Sequence, residues 1–417
     1  MTDVRRALQT ASLLLGVCLQ TSVLAQALEK SADQVSMDIF AGDARGPHQT
    51  GTFEEYWIDE QRDEPTTTDP NDKRRLMVQL WYPATFKPNA ARAPYILHPD
   101  LYPTDKQKWL KLAKNARTTS VLNAPLLTAD APFPVVIYNP GGGHPPFTGT
   151  SQTEYLASHG YVVVAIGHTG LTGIARFPDG STYKLDTNDP EPTAAERQTM
   201  TDADAFRLEV ERSSATMMPL HVKDISYVLD RLQAMNAKPG HRFYRHLDFD
   251  RVGSMGWSLG GALSLQASRD EPRIKAAVNL DGWLYTDVYR TGTKRPVMQI
   301  HQSEDVMYLK PGQSAAKRET LLYANSLLWQ FFSKTEADWY DVTLNRAHHG
   351  HFSDRILFTP MQEQYMHPRV AQDWTNRFVL EFFDKYLRGQ AEAPFLSGTR
   401  TFPDALVLRG TKQAGTQ

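Results

Sequence analysis

Residues 256–260 read Gly256-Trp257-Ser258-Leu259-Gly260, with the apolar run "RVGSMG" leading in and the alanine- and leucine-rich "GGALSL" leading out. A serine hydroxyl is a weak nucleophile until a base takes its proton and a sharp turn lifts it clear of its neighbours. Strand, tight turn and helix in that order, with glycine on both sides of the turn, supply the second condition. The first requires a base, and "NRAHHGHFSD" offers His348, His349 and His351. Spacing alone does not choose among them. The base in turn needs a carboxylate to orient it and to stabilise its charged form. Two aspartates end apolar runs at suitable places, Asp281 in "AAVNLDGW" and Asp305 in "IHQSEDVM", and position along the chain favours the later one. A tetrahedral intermediate also needs two N–H donors. One follows the nucleophile, which makes it Leu259. The other belongs to a glycine loop after an earlier strand, and Gly142 in "NPGGGHPP", flanked by Gly141 and Gly143, fits it.

Other chemistries fit these residues less well. The three close histidines lack H-E-x-x-H spacing and a carboxylate-rich companion, so no metal site is expected. The glycine loop lacks the Lys-Ser/Thr ending of a phosphate-binding loop. No cofactor is expected.

The elements that must carry these residues are legible from residue 134 onward. "FPVVIYNP", "YVVVAIGHT", "RVGSMGW", "IKAAVNLDGW" and "PVMQIHQSED" read as buried strands. "GTSQTEYLASHG", "VKDISYVLDRLQAM", "LGGALSLQAS" and "AQDWTNRFVLEFFDKYL" read as helices. Apolar strands alternating with helices predict an α/β fold, a mostly parallel central sheet covered by helices on both faces. Before it, "GTFEEYWIDE" and "RRLMVQLWYPA" alternate apolar and polar residues around "QRDEPTTTDPND", which predicts an antiparallel hairpin with a long loop. Residues 171–215, rich in charge, proline and glycine, interrupt the rhythm and predict a lid-like insertion over the carboxyl edge of the sheet. Residues 95–128 look like a second insertion.

The chain has 417 residues, 41% of them hydrophobic, and a formal charge of −2. That suits a packed globular chain and gives no basic block for nucleic acid. Arg5 and Arg6, the apolar stretch from Ala7 to Ala25 and the small residues near Ala25 and Ala27 read as a signal peptide, residues 1–27. The expected location is therefore the bacterial periplasm or the medium. Residues 28–417 form the remaining single domain, with no membrane span after cleavage. Cys18 is the only cysteine, so disulfides, thiol nucleophiles and cysteine-based metal sites are excluded after cleavage.

With "PFPVVIYNPGGG", "YLASHGYVVVAIGH", "DISYVLDRL" and the order serine, aspartate, histidine in place, the chain resembles an α/β-hydrolase of the plasma-type platelet-activating-factor acetylhydrolase family and related bacterial esterases. The resemblance runs from about "LMVQLWYPA" to the last helix. It implies the α/β-hydrolase fold and a Ser-His-Asp triad. The family's acid stands in an L-D-x-W setting, which "NLDGW" matches, so the resemblance prefers Asp281 and leaves Asp305 in reserve. Its base stands in H-x-x-F-x-D, which points to His349, with His351 as the alternative. Departures are Asn139-Pro140 before the glycines, where His-Gly-x-Gly is common, and Trp257 and Leu259 beside the serine, where His and Phe are common. They touch the acyl and alcohol pockets, so a phospholipid preference does not transfer.

The resulting expectation is an exported serine hydrolase that cleaves short or oxidised acyl esters, small-molecule or lipid, through an acyl-enzyme. A polyester, lactone or amide hydrolase with the same triad, and a non-catalytic binding protein of this fold, are the alternatives. Trp257, Trp283 and residues 171–215 are the expected walls of an acyl site.

Overall fold

A strand covered on both faces needs apolar side chains pointing both ways. Phe133–Asn139 and Val162–His168 meet that demand, with every residue of both buried. The computed structural model of the protein describes residues 45–102, 107–172, 175–183, 191–303, 315–360, 362–397, 402 and 404–410. The expected signal peptide and Asp305 lie outside them.

The strands are β1 (Gln49–Asp63), β2 (Lys73–Ala84), β3 (Val121–Leu122), β4 (Phe133–Asn139), β5 (Val162–His168), β6 (Ala175–Arg176), β7 (Thr182–Tyr183), β8 (Leu247–Trp257), β9 (Ile274–Leu280), β10 (Val297–Gln302), β11 (Trp339–Leu344) and β12 (Ala405–Gly410). The main sheet runs β12-β11-β10-β9-β8-β4-β5-β2-β1-β3. From β5 to β11 every neighbouring pair is parallel, whereas β2 joins β5 antiparallel and β12 joins β11 antiparallel. The helices are α1 (Lys108–Ala113), α2 (Thr150–Ser158), α3 (Ala194–Arg197), α4 (Asp202–Ala215), α5 (Met217–Ala237), α6 (Leu259–Asp270), α7 (Ala315–Lys334) and α8 (Pro368–Arg388).

Side chains along a strand alternate between faces, and the core follows that period. Val135 and Ile137 of β4 and Val164 and Ile166 of β5 pack with Ile225 and Leu229 of α5 and Leu263 of α6. Val136, Tyr138, Val163 and Ala165, one position out of step, pack with Leu156 of α2 and Phe378 and Phe382 of α8. Each fully buried aliphatic side chain contributes about 2 kcal/mol relative to exposure. This is the α/β-hydrolase arrangement, a mostly parallel sheet with both faces covered.

Two elements depart from the sequence reading. The hairpin's first strand runs to Asp63, since Asp63 pairs with Lys73 after a register shift, so the loop is shorter than expected. The segment 95–128 is not merely an insertion: its β3 pairs with β1 at the sheet edge, and Tyr95, Trp109 and Leu110 form a cluster with Phe147 and Phe358. The segment 171–215 holds the β6–β7 hairpin, α3 and α4, and Phe206 and Val210 of α4 pack beside α7. No helix among the described residues is long and apolar enough to cross a membrane.

Candidate active site

Ser258 stands alone between the end of β8 and the start of α6. Its φ of 56° and ψ of −125° are a conformation that residues with a Cβ seldom adopt. Close packing enforces the turn. A Cβ on Gly256 would lie 2.3 Å from the Gly260 carbonyl oxygen, and one on Gly260 would lie 2.0 Å from the Asn139 carbonyl oxygen. The Ser258 N–H donates to the Leu280 carbonyl at 2.8 Å, tying the turn to the end of β9.

Asp281 follows β9 directly, also with positive φ, 57°. Its own N–H donates to Ile300 O at 2.7 Å. Asn279 latches the bend, accepting from the Gly282 N–H at 2.9 Å and donating to Gly282 O at 2.8 Å. The aspartate is 8% exposed, and its Oδ1 accepts from the Gln302 N–H at 2.9 Å. Its Oδ2 lies 2.6 Å from His349 Nδ1, and His349 Nε2 lies 3.0 Å from Ser258 Oγ. A carboxylate only accepts, so Nδ1 carries the ring proton and Nε2 faces the serine hydroxyl as an acceptor. Trp257 sits between two imidazoles, its ring centroid 4.8 Å from that of His144 and 5.0 Å from that of His349. Its indole N–H donates to the His349 carbonyl at 3.0 Å.

The other histidines go elsewhere. His351, 1% exposed, accepts from the His348 N–H at 3.0 Å and donates from Nε2 to Met366 O at 2.7 Å. His348 caps the turn by accepting from the Gly350 N–H at 3.1 Å. Neither is joined to Ser258. Burial lowers the His351 pKa, so the fold favours the neutral ring. The stability it contributes is present above about pH 6.5 and is lost as the pH falls below it. His351→Gln is expected to cost about 2 kcal/mol at neutral pH and to flatten the acid limb of a melting-temperature profile. Turnover per folded molecule stays at the wild-type value, and a collapse of turnover in well-folded His351→Gln would make His351 the base.

Gly142, Gly143, Leu171, Met217, Leu220, Ser258, Leu259 and Tyr285 border one open cleft of roughly 740 Å³. A Cβ on Gly142 would lie 3.4 Å from Leu259 Cδ2, so this glycine sits against the Leu259 side chain at the edge of the cleft. The Gly143 N–H is taken by Leu171 O and the His144 N–H by Gly141 O. Leu259 is the first residue of α6, where N–H groups have no partner within the helix. The helix N-terminus adds partial positive charge at the same place.

Two expectations are corrected here. Trp257 is 2% exposed and packs rather than walls a pocket. Trp283 packs on Phe206, 5.1 Å between ring centroids, and faces a small cavity behind Asp281. The 171–215 segment does line the cleft, through Leu171, Glu191, Glu209 and Ala215. The sequence reading missed Asn279, although it stands two residues before Asp281, and it missed the cleft wall from Met217, Leu220 and Tyr285. It also missed a buried group: His168, His221 and Asp224 bring potential metal-ligating atoms within 4.8 Å of one another. There the Asp224 carboxylate already faces a cation, Arg74, at 2.6 Å.

A protein family described as PET hydrolase-like matches residues 210–323, which include Ser258 and Asp281. A probable 1-alkyl-2-acetylglycerophosphocholine esterase from Arthroderma benhamiae is 26% identical over 164 residues, 38% of this chain and 34% of that protein. The platelet-activating factor acetylhydrolase of Canis lupus familiaris is 24% identical over 297 residues, 64% of this chain and 59% of that protein. The chain thus spans between a third and three fifths of the curated relatives it matches. Among solved structures, a ferulic acid esterase from Streptomyces cinnamoneus superposes with a TM-score of 0.62 at 26% identity, covering 88% of this chain and 98% of that one. The chain has the α/β-hydrolase fold and resembles esterases of the platelet-activating-factor acetylhydrolase kind.

Proposed function

We propose that this chain is an exported serine hydrolase of carboxylic esters. The observation that carries the reading is the run of hydrogen bonds from Asp281 through His349 to Ser258 Oγ, at 2.6 and 3.0 Å, opening on a cleft. His349 takes the Ser258 proton as the oxygen attacks an ester carbonyl, and Asp281 stabilises the imidazolium that results. The Leu259 and Gly142 N–H groups receive the developing oxyanion, each donor lowering the barrier by about 3 kcal/mol. His349 then protonates the leaving alcohol. Water, deprotonated by the same imidazole, cleaves the acyl-enzyme. The imidazole suits proton exchange because 45% of its surface is exposed. Apart from that water, the cycle uses only side chains and backbone amides.

Short or oxidised acyl esters are the first substrate class, on the likeness to the acetylhydrolases. A polyester or aromatic-acid ester is the second, favoured by the PET hydrolase-like match and by the open cleft of roughly 740 Å³. Residues 171–215 act as a partial lid in either case. Export rests on the sequence of residues 1–27.

A fluorophosphonate probe should label the protein at Ser258, and rates on p-nitrophenyl acetate, oxidised phosphatidylcholine and polyester film should rank the substrate classes. An unlabelled, well-folded protein that hydrolyses none of the three is a binding protein instead.

A further inference from the structure

The buried group behind the glycine loop ends on a residue tied to both elements that flank the nucleophile. Asn139 is fully buried and is the last residue of β4, immediately before Pro140-Gly141-Gly142. Its Nδ2 donates to Ser254 Oγ of β8 at 3.1 Å and to Ser264 Oγ of α6 at 2.9 Å. These are the strand that ends just before Ser258 and the helix that begins just after it. Ser264 Oγ also donates to Gly260 O at 2.9 Å, so the tie reaches the first turn of α6. The Asn139 backbone is fitted as closely, since added Cβ atoms on Gly260 and Gly256 would lie 2.0 and 2.5 Å from its carbonyl oxygen.

Behind Asn139 stands a braced chain. His168, at the end of β5, bridges Asn139 Oδ1 and Asp224 Oδ2, 3.0 Å from each. Arg74 grips Asp224 through Nε at 3.0 Å and Nη2 at 2.6 Å, and Glu64 through Nη1 at 2.9 Å. His168, Asp224 and Arg74 have no exposed surface. Buried charge of this kind seldom adds net stability over a well-packed apolar core, because desolvation offsets the Coulomb gain. What it does provide is directional geometry in place of loose packing.

We propose that Asn139, braced by His168 and Asp224, is a positioning residue that fixes the separation of the Gly142 and Leu259 N–H groups. It holds the loop bearing one donor against the helix bearing the other and against the strand that leads to the nucleophile. This rests on the esterase reading, in which those two groups receive the oxyanion. A preorganised pair stabilises the transition state more than the bound ester, so loosening it lowers kcat and spares KM.

The test is steady-state ester hydrolysis with kcat expressed per Ser258 titrated by a fluorophosphonate, which corrects for unfolded protein. Asn139→Ala is expected to lower kcat about tenfold to a hundredfold, short of the full loss of a donor, with KM within about twofold. Ser264→Ala, which removes one anchor together with the Ser264–Gly260 tie, should fall in the same direction by less. Val163→Ala, a truncation in the core, serves as the stability control and should keep kcat per titrated site. Asn139→Ala and Ser264→Ala that match Val163→Ala in kcat would overturn the positioning role, as would losses confined to KM. Wild-type protein that neither labels nor hydrolyses esters would overturn the esterase reading itself, and the positioning role with it. If Asn139→Ala does not fold, an unchanged kcat in Ser264→Ala decides against the proposal.

Discussion

Ser258→Ala is expected to lower ester turnover by about six orders of magnitude, and His349→Ala by a similar factor. The double variant should be no worse than either single one. The reason lies in the 3.0 Å contact between Ser258 Oγ and His349 Nε2. A hydroxyl without its base remains protonated, and a base without the hydroxyl has nothing to activate, so the first loss removes what the second would have removed. Independent contributions would multiply instead. Steady-state rates on a p-nitrophenyl ester, with circular dichroism to verify folding, measure this directly. A double variant slower than both single variants by several further orders of magnitude would mean that the two groups act separately.

Asp281→Asn should cost about four orders of magnitude in kcat and leave the melting temperature nearly unchanged. The amide keeps the size and much of the packing, including an oxygen for the Gln302 N–H. Its NH2 group, however, turned toward His349, stabilises the ring tautomer with the proton on Nε2. That tautomer cannot take a proton from Ser258. Asp305→Asn, made in parallel, should retain wild-type turnover. The opposite pattern, with only Asp305→Asn inactive, would assign the acid to residue 305.

The nucleophile was legible because its chemistry forces a local signature. Only small residues fit where Gly256 meets Gly260 and Gly260 meets the Asn139 carbonyl, so the turn is written as G-x-S-x-G. The acid and base are less local. Asp281 and His349 lie 68 positions apart in sequence, and nothing in either neighbourhood states the distance between them. Position along the chain favoured Asp305, and the resemblance to a known family moved the choice to Asp281. Of the fold, the continuous apolar strands β4 and β5 declared themselves. Neither α7 nor β11 was read. α7 carries apolar residues around much of its circumference, with Leu322 and Trp329 exposed and Phe331 and Phe332 buried. β11 alternates apolar and polar from Tyr340 to Leu344, unlike the continuous apolar runs of the other buried strands, and its Asp341 is buried all the same. The brace behind the glycine loop was invisible for a different reason. Glu64 and Arg74 of the hairpin, His168 and Asp224 come from three separate parts of the chain, and each alone reads as an ordinary polar residue.

Two of the three residues in the proposed triad, Ser258 and Asp281, have φ near +57°. Left-handed backbone at a residue with a side chain costs on the order of 1–2 kcal/mol. Glycine would relax either bend and end the chemistry there. Breeding this chain for heat tolerance alone therefore rewards inert descendants, and any such campaign must select on catalysis in the same round.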